Sequence, residues 1–373
     1  MRRWLTPYLK KDLGEKIVLL CGPRQVGKTT LGQALFKNYD YFNFDSGEDR
    51  KLLFQKKWNR KADLVIFDEL HKMKKWKSWL KGIYDTEKRP PALLVTGSAR
   101  LDTYKKGGDS LAGRHFTFRL HPFTVKELKG QISPNECLRR LLKVGGFPEP
   151  FLKNSETEAR RWQRGHLDVI LREDLLDLER IRDIKSIEIL IDLLRSRVGS
   201  PVSYSSLAGD LQVSVHTVKK WLSVLENLYV IFPVRTYHKN IARSILKDTK
   251  YYFFDSAQVE GDLGRRLENV VACALLAELQ GMEDTAGSKT SLHFLRDKEK
   301  REIDFLTVVD GRPTAMVEVK WDDQEISKNF KGFLKQLGSL PSYQVVHELK
   351  RPLSTPHVSL VGAAEFLANL DLR

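Results

Sequence analysis

The sequence predicts an α/β protein in three parts. A parallel sheet around a phosphate-binding loop comes first, then an all-α winged-helix segment, then a second α/β segment. Three observations carry this. A short apolar run, Ile17 to Cys21, leads into GPRQVGKTT at Gly22 to Thr30 and then into a helical pattern from Leu31 to Phe36. Two further runs, Asp63 to Glu69 and Pro91 to Thr96, are continuously apolar, as strands covered on both faces are. From Ile187 onward the period is helical three times over, and strands then return.

The 373 residues exceed one ordinary core, so more than one domain is expected. The boundaries predicted are a P-loop core at 1–132, a helical lid at 133–185, a winged helix-turn-helix at 186–238 and a C-terminal α/β domain at 239–373. Lys plus Arg is 63 against 48 for Asp plus Glu, a net charge of +15. Such a surplus points to polyanion partners, DNA first. Cys21, Cys137 and Cys273 are far apart and form no CxxC pair, so no zinc site is implied. The basic start MRRWLTPYLKK lacks the apolar core of a secretory signal, and the longest apolar run, Val270 to Ala277, falls far short of the ~20 residues of a membrane helix. A reducing cytoplasm and no membrane association are expected.

In the first part, Gly22, four residues, then Gly27, Lys28 and Thr29 complete the P-loop pattern. Gly27 lets successive N–H groups turn inward toward phosphate, and the helix start adds its positive dipole end. Lys28 is placed for the β- and γ-phosphates, and the Thr29 hydroxyl for Mg²⁺. Gly22, Pro23, Arg24, Gln25, Val26, Gly27, Lys28, Thr29 and Thr30 are therefore expected to line a nucleotide, with ATP and Mg²⁺ as cofactors. Tyr39 to Asp45 reads as the second strand. The next ends in Asp68, a metal-holding acid, and Glu69, which would polarise the attacking water. His71 to Ile83 reads as a helix with Met73, Trp76, Leu80 and Ile83 on one face; its lysines, set among Trp76 and Trp79, read as solvated rather than as a nucleic-acid surface. Ser98, past the next strand, is a candidate for the γ-phosphate or its water. Arg114 is a candidate for transition-state charge on its own or a neighbour's nucleotide; its plainer reading is a structural arginine paired with an acid.

GPRQVGKTT, VIFDEL, LLVTGSAR, SLAGR, His121-Pro122 before FTVKEL, and GGFPEP at Gly145 to Pro150 occur in that order. The order resembles the AAA-type ATPases that carry a C-terminal domain of unknown function numbered 4143, from about Lys16 to about Lys320. One departure is His71, where glutamine is expected. By this resemblance Arg114 matches the arginine of the family's AGR motif, acting either within its own chain or, in a homo-oligomer, across a subunit interface.

In the middle, Glu158 to Arg180 reads as a helix linking the ATPase to the next part of the chain. Ile187 to Val198, Ser205 to Leu211 and Ser214 to Leu225 read as three helices, and Tyr229 to Val234 as a strand, a helix-turn-helix with a wing. On the third helix Ser214, His216, Thr217, Lys219 and Lys220 are candidate DNA contacts. The competing reading is a protein-docking module.

At the C-terminal end a helix, Gly264 to Leu279, carries Glu268. Ser291 to Leu295, Glu302 to Val309 and Thr314 to Lys320 read as a meander. Period-2 alternation puts Glu318 and Lys320 on one face. With Asp304 on the neighbouring strand they have the composition of a Mg²⁺ site for phosphodiester cleavage, Lys320 orienting water and Glu268 supporting. A strand-face salt-bridge cluster is the plainer reading, and buried carboxylates there must meet either a metal or a lysine. The spacing resembles the PD-(D/E)XK nuclease core, which implies a restriction-endonuclease-like fold. Gln336 lies where some members of that group place a glutamine; the tyrosine four residues on is absent, position 340 being Leu340.

These readings combine into a Mg²⁺-dependent ATP-binding and ATP-hydrolysing protein that binds DNA, with an inert nuclease-like domain. An ATP-coupled DNA nuclease and a signalling ATPase that docks proteins are the competitors.

Overall fold

The computed structural model describes residues 1–87, 91–97, 111–174, 183–238, 248–322, 325–351 and 353–372. Two compact units divide the chain, Met1–His121 with Asn227–Tyr229, and Pro122–Glu226 with Val230–Arg373.

The first unit is built on a five-stranded parallel sheet. Its strands are β1 (Ile17–Cys21), β2 (Tyr39–Asn43), β3 (Leu64–Asp68), β4 (Ala92–Gly97) and β5 (His115–Arg119), in the order β2-β3-β4-β1-β5. Every residue of β1 and β3 is buried, as their unbroken apolar runs require. Among the described residues, helices α1 (Thr6–Leu13), α2 (Lys28–Gln33), α3 (Gly47–Phe54) and α4 (Trp76–Thr86) complete the unit. The helix expected over 71–83 is split. Leu70–Lys72 form one 3₁₀ turn, Lys75 is left-handed at φ 61°, and α4 starts only at Trp76. The expected apolar face holds nonetheless: Met73, Trp76, Leu80 and Ile83 are buried.

The second unit opens with four helices, α5 (Val125–Leu128), α6 (Pro134–Val144), α7 (Pro148–Lys153) and α8 (Glu156–Val169), the last running into a π-helical turn at Ile170–Asp174. The single helix expected over 158–180 is thus described as far as residue 174. Three more follow: α9 (Ile184–Arg195), α10 (Tyr204–Leu211) and α11 (Val215–Asn227). Ser203 caps α10, accepting from the Ser206 amide at 3.3 Å.

The remaining strands form one eight-stranded mixed sheet: β6 (Ile231–Thr236), β7 (Thr249–Phe253), β8 (Thr290–Arg296), β9 (Glu302–Val309), β10 (Arg312–Lys320), β11 (Ser342–Val346), β12 (Leu353–Ser354) and β13 (Val358–Gly362), in the order β12-β13-β11-β10-β9-β8-β6-β7. β8, β9 and β10 are antiparallel neighbours, as the meander requires. The strand after the helix triad belongs to this same sheet: β6 pairs antiparallel with β7 and parallel with β8. Helix α12 (Leu263–Ala286) packs on β7 to β10. Among the described residues, helices α13 (Asn329–Leu337) and α14 (Ala363–Ala368) complete the unit. Among the described residues no helix is long and apolar enough to cross a membrane.

Candidate functional site

The glycine-rich loop leaves the C-terminal end of β1 and enters α2. Gly22 has φ +148°, and a Cβ there would lie 2.3 Å from the Leu120 carbonyl oxygen, so only glycine lets the loop pass β5 this closely. Gln25 at φ 60° and Gly27 at φ 96° are also left-handed, which bends the loop back on itself. Lys28 is buried and donates to the Gly22 carbonyl at 3.0 Å and the Pro23 carbonyl at 2.7 Å. Its ammonium therefore stands inside the loop. Lys28 is also the first residue of α2, so the ammonium and the positive end of the helix share the loop.

β3 ends beside this loop. Thr29 Oγ1 donates to Asp68 Oδ2 at 2.7 Å, pairing the two predicted metal residues directly. Asp68 also accepts from Tyr41 Oη at 2.9 Å, from Thr96 Oγ1, and from the Glu69 amide at 3.1 Å. A hydroxyl and a carboxylate held this close, at the mouth of a loop built for phosphate, fit Mg²⁺ accompanied by a nucleotide. Thr29 and Asp68 would hold the ion, and Lys28 with the loop amides the phosphates.

Glu69 is left-handed at φ 53°, which turns its side chain out of the strand line. Burial raises its pKa, and the Lys28 charge opposes that rise. His71 stands beside it, Nε2 lying 3.6 Å from Glu69 Oε2, its side chain only 4% exposed. Burial pushes the imidazole down to about 4, with the Lys72 and Lys28 charges adding, so it is neutral near pH 7. The departure from glutamine at position 71 thus keeps an uncharged polar group against Glu69.

Around the phosphate-binding loop, three residues escaped sequence reasoning. Tyr41 and Thr96 both donate to Asp68, and β2 and β4 read only as strands. Ser98, the polar residue expected at the end of β4, lies outside the described residues; the buried Thr96 makes the contact seen there. Arg119 is the third. Register pairs it with Cys21, at the end of β1 that carries the loop, whereas the Arg114 carbonyl accepts from the Ile17 amide at the opposite end. Five residues of strand at about 3.3 Å each separate Arg114 from the loop by roughly 16 Å. Its guanidinium is held by Asp85, at 2.7 Å from Nε and 3.3 Å from Nη2. Arg114 is therefore not brought together with Lys28, Asp68 and Glu69.

In the second unit the candidate DNA residues head α11. Ser214, His216, Lys219 and Lys220 are exposed and Thr217 is half-buried. Ser214 Oγ caps the helix, accepting from the Thr217 amide at 3.1 Å. Lys219 Nζ lies 5.3 Å from the centre of the Tyr204 ring.

The four candidate nuclease residues do come together. Lys320 Nζ is 2.9 Å from Glu318 Oε1, and Glu318 Oε2 accepts from the Asp304 amide at 3.3 Å. Burial and the Asp304 charge push Glu318 up to about 8 and Glu268 up to about 7. Burial works against the Lys320 charge, but Glu318, Asp304 and Glu268 together outweigh it and the ammonium is held. Sequence reasoning missed Lys250 and Glu302, which complete this cluster. A lone lysine in an aromatic strand carried no signal. Gln336 is exposed on α13.

Three families match this chain: an AAA domain over residues 14–129, a domain of unknown function, DUF8612, over 135–260, and another, DUF4143, over 263–359. An uncharacterized protein of Mycobacterium tuberculosis is 26% identical over 92% of this chain and 79% of its own length. One of Methanocaldococcus jannaschii is 24% identical over 88% and 80%. Among solved structures, the Aeropyrum pernix ORC1 protein in complex with DNA aligns over 73% of this chain and 93% of its own, at 12% identity and a TM-score of 0.35. The Bacillus subtilis DNA clamp loader delta protein aligns over 59% and 87%, at 14% identity and a TM-score of 0.27.

Proposed function

We propose that this chain, which belongs to the AAA-type ATPases that carry a C-terminal DUF4143 domain, is a cytoplasmic Mg²⁺-dependent ATP switch that binds DNA and does not cut it. One observation carries the nucleotide half: Lys28 inside the loop, Thr29 on Asp68 at 2.7 Å, and Glu69 beside them. Mg²⁺ supplies charge neutralisation along the phosphates when bound. Lys28 and the loop amides fix the polyphosphate, Thr29 and Asp68 the ion, and Glu69 orients the attacking water with neutral His71 at its side.

DNA binding is supported by the net charge of +15 and by the exposed Ser214, His216, Lys219 and Lys220 on the third of three successive helices. In this reading residues 1–132 are the ATPase core, 133–185 a helical lid, 186–238 the winged helix and 239–373 the nuclease-like domain. Arg114, far from its own loop, serves a neighbouring copy's nucleotide in a homo-oligomer. The free cysteines Cys21, Cys137 and Cys273 accord with a reducing compartment.

The test is uptake of labelled ATP with Mg²⁺, alongside linear, branched and single-stranded DNAs incubated with Mg²⁺ or Mn²⁺. Uptake that Lys28→Ala abolishes, with DNA bound and left intact, is expected. No uptake by the native chain defeats the ATP assignment. Cutting that Asp304→Ala abolishes replaces the switch with an ATP-coupled nuclease.

A further inference from the structure

Lys250 is the strongest feature that the nucleotide reading leaves unused. It lies on β7 with its side chain 0% exposed. Its Nζ is 2.7 Å from Glu302 Oε1, 3.4 Å from Asp304 Oδ1 and 3.5 Å from Glu268 Oε1. Those carboxylates come from β9 and α12, so three elements converge on one ammonium. Tyr252, two residues further along β7, donates to the same Glu268 Oε1 at 2.6 Å. The Phe294 ring closes another side, its centre 5.3 Å from Nζ. Above Glu268 runs the turn at Gly199, packed so closely that a Cβ there would lie 2.5 Å from Glu268 Oε2.

Resemblance to the PD-(D/E)XK core implies a divalent ion held by Asp304 and Glu318. The residues present do not fit one. Asp304 directs Oδ1 to Lys250 and accepts the Val319 amide on Oδ2 at 2.9 Å. Glu318 directs Oε1 to Lys320 and accepts the Asp304 amide on Oε2. All four oxygens are thus engaged within the protein. Among the described residues no three carboxylate, imidazole or thiolate groups are placed to share a metal ion.

We propose that Lys250 is the resident cation of this cluster. Its ammonium takes the place between Glu268, Glu302 and Asp304 that a divalent ion would otherwise be drawn to. The cluster is then a buried ion-pair tie joining β7, β9 and α12. A buried ammonium among carboxylates is retained because removing either sign leaves the other uncompensated. Unlike a metal ion, it does not turn bound water into a nucleophile near neutral pH. Sealed from solvent, it also does not touch a phosphodiester. The proposal rests on the non-cleaving reading above and supplies its cause.

The test is Mn²⁺ binding to the nucleotide-free full chain, read from the loss of the free-ion electron paramagnetic resonance signal. The native chain and Asp304→Asn are expected to titrate alike. A Mn²⁺ site in the native chain that Asp304→Asn abolishes overturns the proposal. Lys250→Met keeps the aliphatic stem and removes the charge. It is expected to gain a Mn²⁺ site that the double variant Lys250→Met/Asp304→Asn lacks. A folded Lys250→Met with no gain overturns the claim that lysine holds the cation position. Should Lys250→Met fail to fold, the native and Asp304→Asn titrations decide alone. Nucleotide is absent and the P-loop is unaltered, so this result and that of the ATP-uptake assay fail or succeed separately.

Discussion

Asp255 shows what a single buried carboxyl does to the segment around GGFPEP. Gly145 has φ +80°, and a Cβ on it would lie 2.1 Å from Asp255 Oδ1. The glycine is therefore required by a partner far along the chain, which the recognisable phrase does not reveal. Asp255 accepts from Gln163 Nε2 at 3.1 Å and from the Ala257 amide at 3.2 Å. Burial pushes its pKa up to about 6, against the pull of those two hydrogen bonds. The folded chain thus holds this proton more tightly than the unfolded chain does. The resulting stabilisation is full below the unfolded value of 3.8 and is lost as pH rises through about 6. Each pH unit between those two values is worth about 1.4 kcal/mol, so the loss is at most about 3 kcal/mol. Asp255→Asn has no proton to lose. Its stability relative to the native chain is expected to rise between about pH 4 and about pH 6, most steeply midway between the two values, and to level off above, in urea unfolding series. A stability difference that stays flat over that range defeats this account. Lys250 makes the same point about legibility. Asp304, Glu318 and Lys320 could be grouped from strand period alone, but their cation comes from β7, and no spacing rule links it to β9.

At the level of elements, β3 and α4 show where pattern succeeds and where it stops. Continuous apolar character correctly gives β3 as a strand buried on both faces. Helix α4 starts later than its apolar period implies because Glu69 and Lys75 are both left-handed, and such residues interrupt a helix without any glycine to announce it. The tryptophans set among lysines are core groups. Phe67 meets Trp58 and Trp79 edge-on, with ring centres 5.7 Å and 5.5 Å apart. Phe67 also immediately precedes Asp68, so this cluster fixes where the strand end lies. Phe67→Ala is expected to cost about 3–5 kcal/mol, through lost burial and the cavity left behind. Lys74→Ala, exposed on the turn before α4, is expected to stay within about 0.5 kcal/mol. Thermal unfolding of both variants checks the contrast. Equal losses would mean that the lysine-rich face does more than meet solvent.

For the molecule as a whole, the order of parts was legible and the sharing of one sheet was not. Three helical periods in succession mark α9, α10 and α11. That β6 pairs with β8 depends on a strand far along the chain, and alternation within a strand does not identify its neighbour. The charge of +15 belongs to this scale as well, because counterion release sums over every phosphate contacted. If α11 meets DNA as proposed, Lys219 and Lys220 act as phosphate contacts, and each contributes about 0.9 to the log–log dependence of affinity on salt. Replacing both with alanine is expected to weaken binding and to lower that slope by up to about 1.8. His216→Ala, at the exposed start of the same helix, is expected to alter preference among sequences while leaving the slope nearly unchanged. Fluorescence anisotropy over a series of KCl concentrations separates the two effects. If the Lys219 and Lys220 variant keeps the native slope, α11 is not the DNA surface. The charge must then act elsewhere on the protein, and the three helices become a module for docking protein, a conclusion that leaves nucleotide binding at Lys28 untouched.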